Sequence, residues 1–197
     1  MKQALAFTFA FALLNGASLP GAAGAAAVPM TPMTPGFHQH LQCNGGYVLT
    51  EVAAADPKIE PNAELITTTI ALGPQMTKTR TVRSVDGQGN IYGIGYVIAA
   101  GVFKHFPKQL LLPANPAPGE HSGYSNITGA TIDKRFEGTR AATDAAKRPL
   151  TGFVFSDYLN GRKLNTVVYA PGFGITDARF YSPQGPKDDL VCHVART

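Results

Sequence analysis

The sequence predicts an α+β domain in which one or two helices back an antiparallel sheet. Runs of β-branched and aromatic residues are separated by glycine- and asparagine-rich turns, and one segment in the second half favours helix. After a leader of 27 residues, about 170 of the 197 residues remain, a length that suits one domain.

The first 27 residues have the character of a signal peptide. Lys2 precedes an uncharged run over residues 4–14, and the small residues around Ala23, Ala25 and Ala27 suit signal peptidase. The apolar core is shorter than the roughly 20 residues that cross a bilayer, so a retained membrane anchor is the less favoured alternative. We expect a secreted, extracellular protein with no membrane partner.

Residues 28–36 contain the repeat Pro-Met-Thr-Pro-Met-Thr-Pro. Such a segment is stiff and offers little to bury, which predicts a disordered tail. The ordered domain is then expected over residues 37–197.

The first half of the domain predicts one helix and three strands. Thr50 is a candidate N-cap for a helix over residues 51–55, which Asp56-Pro57 ends. Strands are expected over residues 65–72, 78–85 and 91–99, the last two joined as a hairpin through the glycine-rich segment 86–90. The proline-rich segment 107–121 is expected to be a surface loop.

The second half predicts a helix followed by four strands. Residues 131–148 favour helix, best over 139–147, and Pro149 ends it, while Gly138 argues against one unbroken helix. Asn160-Gly161 is the strongest hairpin signal of the chain, because both central positions of that turn need positive φ. The expected strands cover residues 153–159, 163–170, 176–181 and 190–194.

The chain has two cysteines, Cys43 and Cys192. One intramolecular pairing is possible, and in an oxidising compartment it would join the two ends of the domain. The loop closed is 149 residues (192 − 43), worth roughly 4 to 5 kcal/mol in the chain-entropy model. Two free thiols or intermolecular bridges are the alternatives.

The charge is mildly basic, with a formal net charge of +4 and a pI near 9.1. This permits phosphate binding without requiring it. In the predicted hairpin, Lys78 and Arg80 share one strand face, and Tyr92 and Tyr96 share one face of the partner strand. Basic and aromatic side chains together can hold RNA, although a solvated strand face is the simpler interpretation.

Two smaller patterns complete the candidate sites. His38, His40 and His193 could approach one another if the disulfide forms, but three imidazoles must converge to bind a metal, so we expect no metal and no cofactor. Asn126-Ile-Thr is a glycosylation sequon if the source is eukaryotic.

Near the C-terminus, three segments follow one another in a fixed order. They are the aromatic strand 152–159 with its Asn160-Gly161-Arg162 turn, residues 174–181, and Leu190-Val-Cys192. Together they resemble the secreted guanyl-specific ribonucleases of fungi, in particular the catalytically degenerate ribonuclease-like effectors of plant pathogens. The early aromatic-x-cysteine of those effectors is matched by His40-Leu-Gln-Cys43, and the Tyr-Pro-His block of the family is matched loosely by residues 103–108.

The resemblance implies a microbial ribonuclease-like fold that has lost catalysis. Val154 stands where the family has its glutamate base, and Ala178 stands where it has its phosphate-binding arginine. Arg179 is adjacent but would face the other side of the sheet. The chain ends before the family's histidine acid, which leaves His105 as the one weak catalytic candidate.

These observations predict a secreted, monomeric, non-enzymatic interaction protein, a fungal effector that binds a host protein or RNA. One alternative is an active extracellular hydrolase, directed at RNA or polysaccharide. Another is a secreted β-rich binding or inhibitor module of unrelated fold.

Overall fold

A computed structural model describes residues 28–55, 63–98, 101–126 and 128–195. Twelve strands form one sheet in which all pairs of neighbours are antiparallel, in the order β6-β5-β4-β3-β2-β1-β12-β11-β10-β9-β8-β7. Within the described residues, helical structure is limited to two 3-10 turns of three residues each. The strands are β1 His38–Cys43, β2 Val48–Ala55, β3 Ala63–Leu72, β4 Gln75–Val85, β5 Ile91–Val97, β6 Phe103–Leu112, β7 His121–Ser125, β8 Thr131–Thr143, β9 Pro149–Leu159, β10 Arg162–Ala170, β11 Gly174–Phe180 and β12 Leu190–Val194.

The predicted α+β class is wrong, because both expected helices are strands. Residues 51–55 belong to β2, where Glu51 and Ala53 are buried while Val52 and Ala54 are exposed, a period of two. Residues 131–143 form β8, and residues 144–148 form a turn. Pairing on both sides of each strand overrides the helix preference of their alanines, which is a weak preference.

The expected fungal ribonuclease-like fold is wrong as well. That fold has a sheet backed by a helix, whereas the described residues form a sheet of twelve strands without one. The aligned positions are also separated. Val154 pairs with Val168 on one face of the sheet, whereas Ala178 pairs with Val167 on the other, so the two could not serve one active site.

Several sequence predictions of strands are confirmed. Strands β4 and β5 form the expected hairpin, and β12 covers residues 190–194 as predicted. Asn160 and Gly161 have φ of 51° and 78°, the positive values that the β9–β10 turn requires. The segment 107–121 is not one loop, because residues 107–112 belong to β6 and β7 begins at His121. Pro107 is tolerated in β6 because that strand is at a sheet edge.

The sheet is a meander in two halves. Strands β1 to β6 follow one another in sequence and in space, and so do β7 to β12. The halves are covalently continuous through residues 113–120, and they pair through β1 and β12. The edge strands β6 and β7 lie side by side, and the amide of Ser125 donates to Oε1 of Gln109 at 2.6 Å. The sheet therefore curls around one buried space.

The face toward this space, here called the inner face, carries the main core. Its buried side chains come from strands of both halves, and the aromatic ring of Phe155 lies within 6.0 Å of the rings of Phe136 and Tyr169, centroid to centroid. Other buried members are Leu41, Cys43, Leu49, Ile91, Leu112, Val167, Ile175, Ala178 and Cys192.

The disulfide predicted from the cysteine count is confirmed. Cys43 and Cys192 are direct partners in the β1–β12 ladder, and their sulfur atoms are bonded. Both side chains are buried on the inner face. The bond therefore joins the two halves of the sheet at the ladder that connects them.

Residues 28–36, here called the strap, differ from the disordered tail that the sequence predicts. Met30 is fully buried in the main core, and the amides of Gly172 and Gly174 donate to the carbonyls of Pro29 and Met30 at 2.8 and 3.2 Å. The strap is ordered because the sheet offers an apolar site for one methionine and donors for its backbone. Sequence periodicity carries no signal for such a contact.

The predicted signal peptide, residues 1–27, lies outside the described residues. In the described part of the chain, no helix is both long enough and apolar enough to cross a membrane.

A buried ionic group, centred on Asp157, links β7 to β10 on the inner face. Lys134 Nζ lies 2.7 Å from its Oδ1, while the hydroxyl of Tyr124 and the amide of Asn165 each donate to its Oδ2 at 3.0 Å. Burial and the neighbouring carboxylate raise the pKa of Tyr124, which keeps its hydroxyl protonated and donating. Lys134, Tyr124 and Asn165 therefore share one acceptor, the Asp157 carboxylate.

Replacing both cysteines by alanine (Cys43→Ala with Cys192→Ala) should lower the free energy of unfolding by about 4 kcal/mol, because the 149-residue loop is no longer closed. Urea unfolding of the variant and of the oxidised wild type measures this. Wild type with reductant is the control and should unfold with the variant. Equal stability of all three would show that the bond contributes nothing.

Replacing Met30 by alanine should destabilise the domain by about 2 to 5 kcal/mol, the usual cost of removing a buried methionine side chain. The control is Val28→Ala, since Val28 is 55% exposed and should change stability by less than about 0.5 kcal/mol. Thermal and urea unfolding report both. If the two variants behaved alike, the strap would not be docked in solution.

Asp157→Ala should cost about 3 to 5 kcal/mol, because it leaves the buried Lys134 charge without a partner. The matched control is Glu137→Ala. Glu137 also binds a lysine and a tyrosine, Lys163 at 3.3 Å and Tyr158 at 2.8 Å, but it lies on the exposed face, where the expected cost is below about 1 kcal/mol. Similar losses in the two variants would contradict the role assigned to burial.

Candidate binding cleft

A cleft of about 830 Å³ lies where β1 begins and β12 ends. Its floor is formed by residues 38–40 and 194–195. One wall is the β8–β9 turn, residues 144–148, and the other consists of the strap and the β10–β11 turn. The volume lies within the range of about 300 to 1,000 Å³ that is usual for small-molecule sites.

The β8–β9 hairpin reaches the cleft because it bends across its neighbours. Gly138 has a φ of 119° and lies at a register shift between β8 and β9, a β-bulge that turns the strand. Beyond the bulge, Arg140 Nη2 lies 3.1 Å from Oδ2 of Asp177 on β11. The tip of the β8–β9 hairpin therefore lies toward strands with which β8 and β9 do not pair, such as β11.

Asp144 holds the turn at this tip. Its Oδ1 accepts the Arg148 amide at 2.8 Å, its Oδ2 accepts Arg148 Nε, and its side chain is 3% exposed. Burial alone would raise the pKa of Asp144, but the hydrogen bonds from Arg148 outweigh it and hold the pKa below its ordinary value. Asp144 is therefore ionised at neutral pH, and its negative charge is paired with the Arg148 guanidinium within the turn.

Lys147 occupies the left-handed backbone position of the turn, with φ of 62°. Glycine is the usual residue there, and a lysine is unfavourable. The side chain is exposed and has no ion pair or hydrogen bond to any described residue. Arg148 is 77% exposed along its side chain, and only its Nε is engaged. Arg148 is paired with Asp144, so the one unpaired charge that this wall presents to the cleft is the Lys147 ammonium.

The floor contributes two imidazoles. The Nδ1 of His38 lies 3.4 Å from the Gly36 carbonyl, and the Nδ1 of His40 lies 3.1 Å from the Thr50 hydroxyl. Because each Nδ1 is occupied by the protein, Nε2 is the atom available to a ligand. The two rings meet edge to face with centroids 5.8 Å apart.

The wall opposite the turn is apolar. Phe37 follows the strap and Phe173 lies in the β10–β11 turn, and both are half-buried. The side-chain amide of Gln39 donates to the Phe173 carbonyl at 3.5 Å and accepts the Ile175 amide at 2.8 Å, which ties the β10–β11 turn to β1. The Lys147 ammonium and two aromatic rings thus line the same cleft.

The three histidines noted in the sequence lie near one another without forming a metal site. His193 Nδ1 is 2.6 Å from Oδ1 of Asp177, and His193 pairs with Gln42, beyond His40 along β1. Across the described residues, no group of three or more histidine, cysteine or acidic side chains is arranged to hold a metal ion.

The candidate RNA-binding residues do not share one face. Tyr92 pairs with Ser84 and Tyr96 pairs with Thr81, so a bulge at Ile94 turns the two tyrosines to opposite sides of the sheet. The Arg80 guanidinium donates to the Ile98 carbonyl at 2.8 Å. Lys78 is exposed on β4. The arrangement on which the RNA prediction depended is absent, and RNA binding stays a prediction.

The other two candidates are at the surface. His105 is exposed on the edge strand β6, with the Phe103 ring 5.9 Å away, centroid to centroid. Asn126 lies in the β7–β8 turn, where its Oδ1 accepts the amides of Thr128 and Ala130 at 3.0 Å. Catalysis by His105 and glycosylation of Asn126 remain untested predictions.

Sequence reasoning missed the hairpin tip because it assigned residues 131–148 to a helix. One signal was present in the sequence. Asp144 with Lys147 and Pro149 is a turn composition, whereas Ile132 and Phe136 have the i, i+4 spacing that suits a helix as well as a strand.

Comparisons with known proteins give structural neighbours only. No family model matches the chain, and no curated protein sequence matches it. One solved structure is of a predicted exported protein with a YmcC-like fold from Bacteroides fragilis. It aligns with 86% of this chain over 98% of its own chain, with 13% sequence identity and a TM-score of 0.44. Another solved structure is of a predicted lipoprotein from Parabacteroides distasonis. It aligns with 85% of this chain over 97% of its own chain, with 9% sequence identity and a TM-score of 0.44. Both solved structures are of bacterial proteins.

Proposed function

We propose that this chain is an exported, non-enzymatic binding protein and that the cleft beside the hairpin tip is its ligand site. Export is supported by the leader over residues 1–27 and by the disulfide, which persists in oxidising compartments. The observation that carries the proposal is the cleft itself, in which an apolar wall faces a small number of polar groups.

Binding is favoured over hydrolysis by the state of the one carboxylate at the site. General acid–base catalysis needs a carboxylate or imidazole free to exchange a proton with substrate, usually with a second group to orient it. Among the described residues that line the cleft, Asp144 is the only acid, and both of its oxygens bind Arg148. His38 and His40 contact a carbonyl and a hydroxyl, and no acidic side chain in the described part of the chain is hydrogen-bonded to either ring.

The partner follows from the dimensions of the cleft. A volume of about 830 Å³ accommodates a small molecule or the end of a chain, not the broad, flat contact of a folded protein. Segments distant in sequence build the site, namely the strap with the start of β1, the β8–β9 turn, the β10–β11 turn and the end of β12. Such a site is preorganised when the sheet folds, which reduces the entropy lost on binding.

A fragment screen tests the proposal without assuming the chemistry of the ligand. We expect a library of mixed charge to yield binders that shift the backbone NMR signals of residues 38–40 and 144–148 in the mature protein. Ala146→Trp should abolish these shifts, because Ala146 lines the cleft and a tryptophan there would fill it.

The control variant is Ala117→Trp, which places the same side chain at an exposed position in the β6–β7 loop. Fragments should still bind this variant at the cleft. If no fragment perturbs the cleft signals, or if Ala146→Trp leaves the binding unchanged, the cleft is not the ligand site.

A further inference from the structure

We propose that the cleft selects an organic anion, a carboxylate or phosphate group attached to a ring or a short apolar body. This inference rests on the proposed function, since it names the class of ligand for the same site. Three features support an anionic ligand, namely the charges that line the cleft, the backbone conformation at Lys147 and the apolar wall.

The charge that the cleft offers to a ligand is positive. The Asp144 carboxylate is consumed by the Arg148 amide and Nε, so it presents no free negative charge. Lys147 and the terminal nitrogens of Arg148 have no partner among the described residues. Since Asp144 and Arg148 neutralise each other, the net charge of the turn is the single positive charge of Lys147. A cationic ligand would meet like charge, and a neutral ligand would leave the Lys147 ammonium without a partner.

The backbone conformation at Lys147 indicates that the turn does not need a lysine side chain at this position. The turn requires a left-handed residue there, for which glycine is the most favourable choice. Hydrogen bonds from the amides of Lys147 and Arg148 to Asp144 hold the turn and need no lysine side chain. The lysine therefore serves something other than the conformation of the turn, and an anion in the cleft is the ligand that its ammonium would bind.

The remaining lining groups define the body of the ligand. The Thr50 hydroxyl can donate to Nδ1 of His40, which leaves the Nε2–H of His40 to donate to a carboxylate or phosphate oxygen. His38 donates from Nδ1 to the Gly36 carbonyl, so its Nε2 is not counted as a donor to the anion. Phe37 and Phe173 form the half-buried wall on the other side, where a ring or aliphatic chain can lie. One charged end and one apolar end therefore fit the cleft together.

Four probes of similar size and different charge test the class of ligand, with the mature, oxidised protein and isothermal titration calorimetry. Benzoate and phenyl phosphate carry the two anionic groups, benzyl alcohol is neutral, and benzylamine is cationic. We expect at least one anion to bind roughly tenfold or more tightly than benzyl alcohol, and benzylamine to bind most weakly. The affinity of that anion should fall as salt is raised, and the tighter of the two anions identifies the acidic group.

Lys147→Gly gives the decisive variant, because glycine suits the backbone there. Anion affinity should fall roughly tenfold, while the affinity for benzyl alcohol and the unfolding midpoint should not decrease. The control is Lys104→Ala, an exposed lysine on β6 away from the cleft, which should leave all affinities unchanged.

Two outcomes would overturn the inference while leaving the proposed function intact. One is binding of all four probes with equal affinity at the cleft, and the other is tightest binding of benzylamine. An anion that binds Lys147→Gly as tightly as wild type would overturn it as well. Absence of any cleft ligand, in this series and in the mixed-charge screen, would remove the proposed function together with the inference.

Discussion

The antiparallel ladder between β1 and β12 is the contact on which the rest of the structure depends. Each half of the sheet is a local meander, and this ladder brings the first strand beside the last across nearly the whole length of the chain. The Cys43–Cys192 bond lies within it, so the longest loop closure in the fold is covalent. The same two strands form the floor of the cleft, which makes the site a consequence of how the sheet is joined.

The walls of the cleft come from two additions to that frame. The strap is anchored by the buried Met30, and the β8–β9 hairpin is bent by the bulge at Gly138. Neither addition contributes to the ladder itself, yet each orders residues that face the cleft. Binding proteins often carry their functional turns on rigid strands, because the scaffold limits the entropy that the turns lose on binding.

The sequence predicted local features well and global ones poorly. Asn160-Gly161 specified its turn because both residues tolerate positive φ, and the two cysteines allowed one internal pairing. Residues 131–148 and 51–55 were assigned to helices because alanine-rich segments have helix propensity, which ladder pairing on both sides overrides. The cleft could not be predicted, since Lys147, His38 and Phe173 lie far apart in sequence and line one cleft only in the folded sheet. The ribonuclease resemblance was carried by short strand motifs that recur in many sheets.

Amide hydrogen exchange of the oxidised protein, with and without phenyl phosphate, tests both the β1–β12 ladder and the cleft. We expect slow exchange along β1 and β12 in the free protein and added protection limited to residues 38–40, 144–148 and the β10–β11 turn when the probe is bound. Fast exchange along β1 and β12 would contradict the central role of the ladder, and protection by the probe concentrated on β4 to β6 would contradict the location of the site.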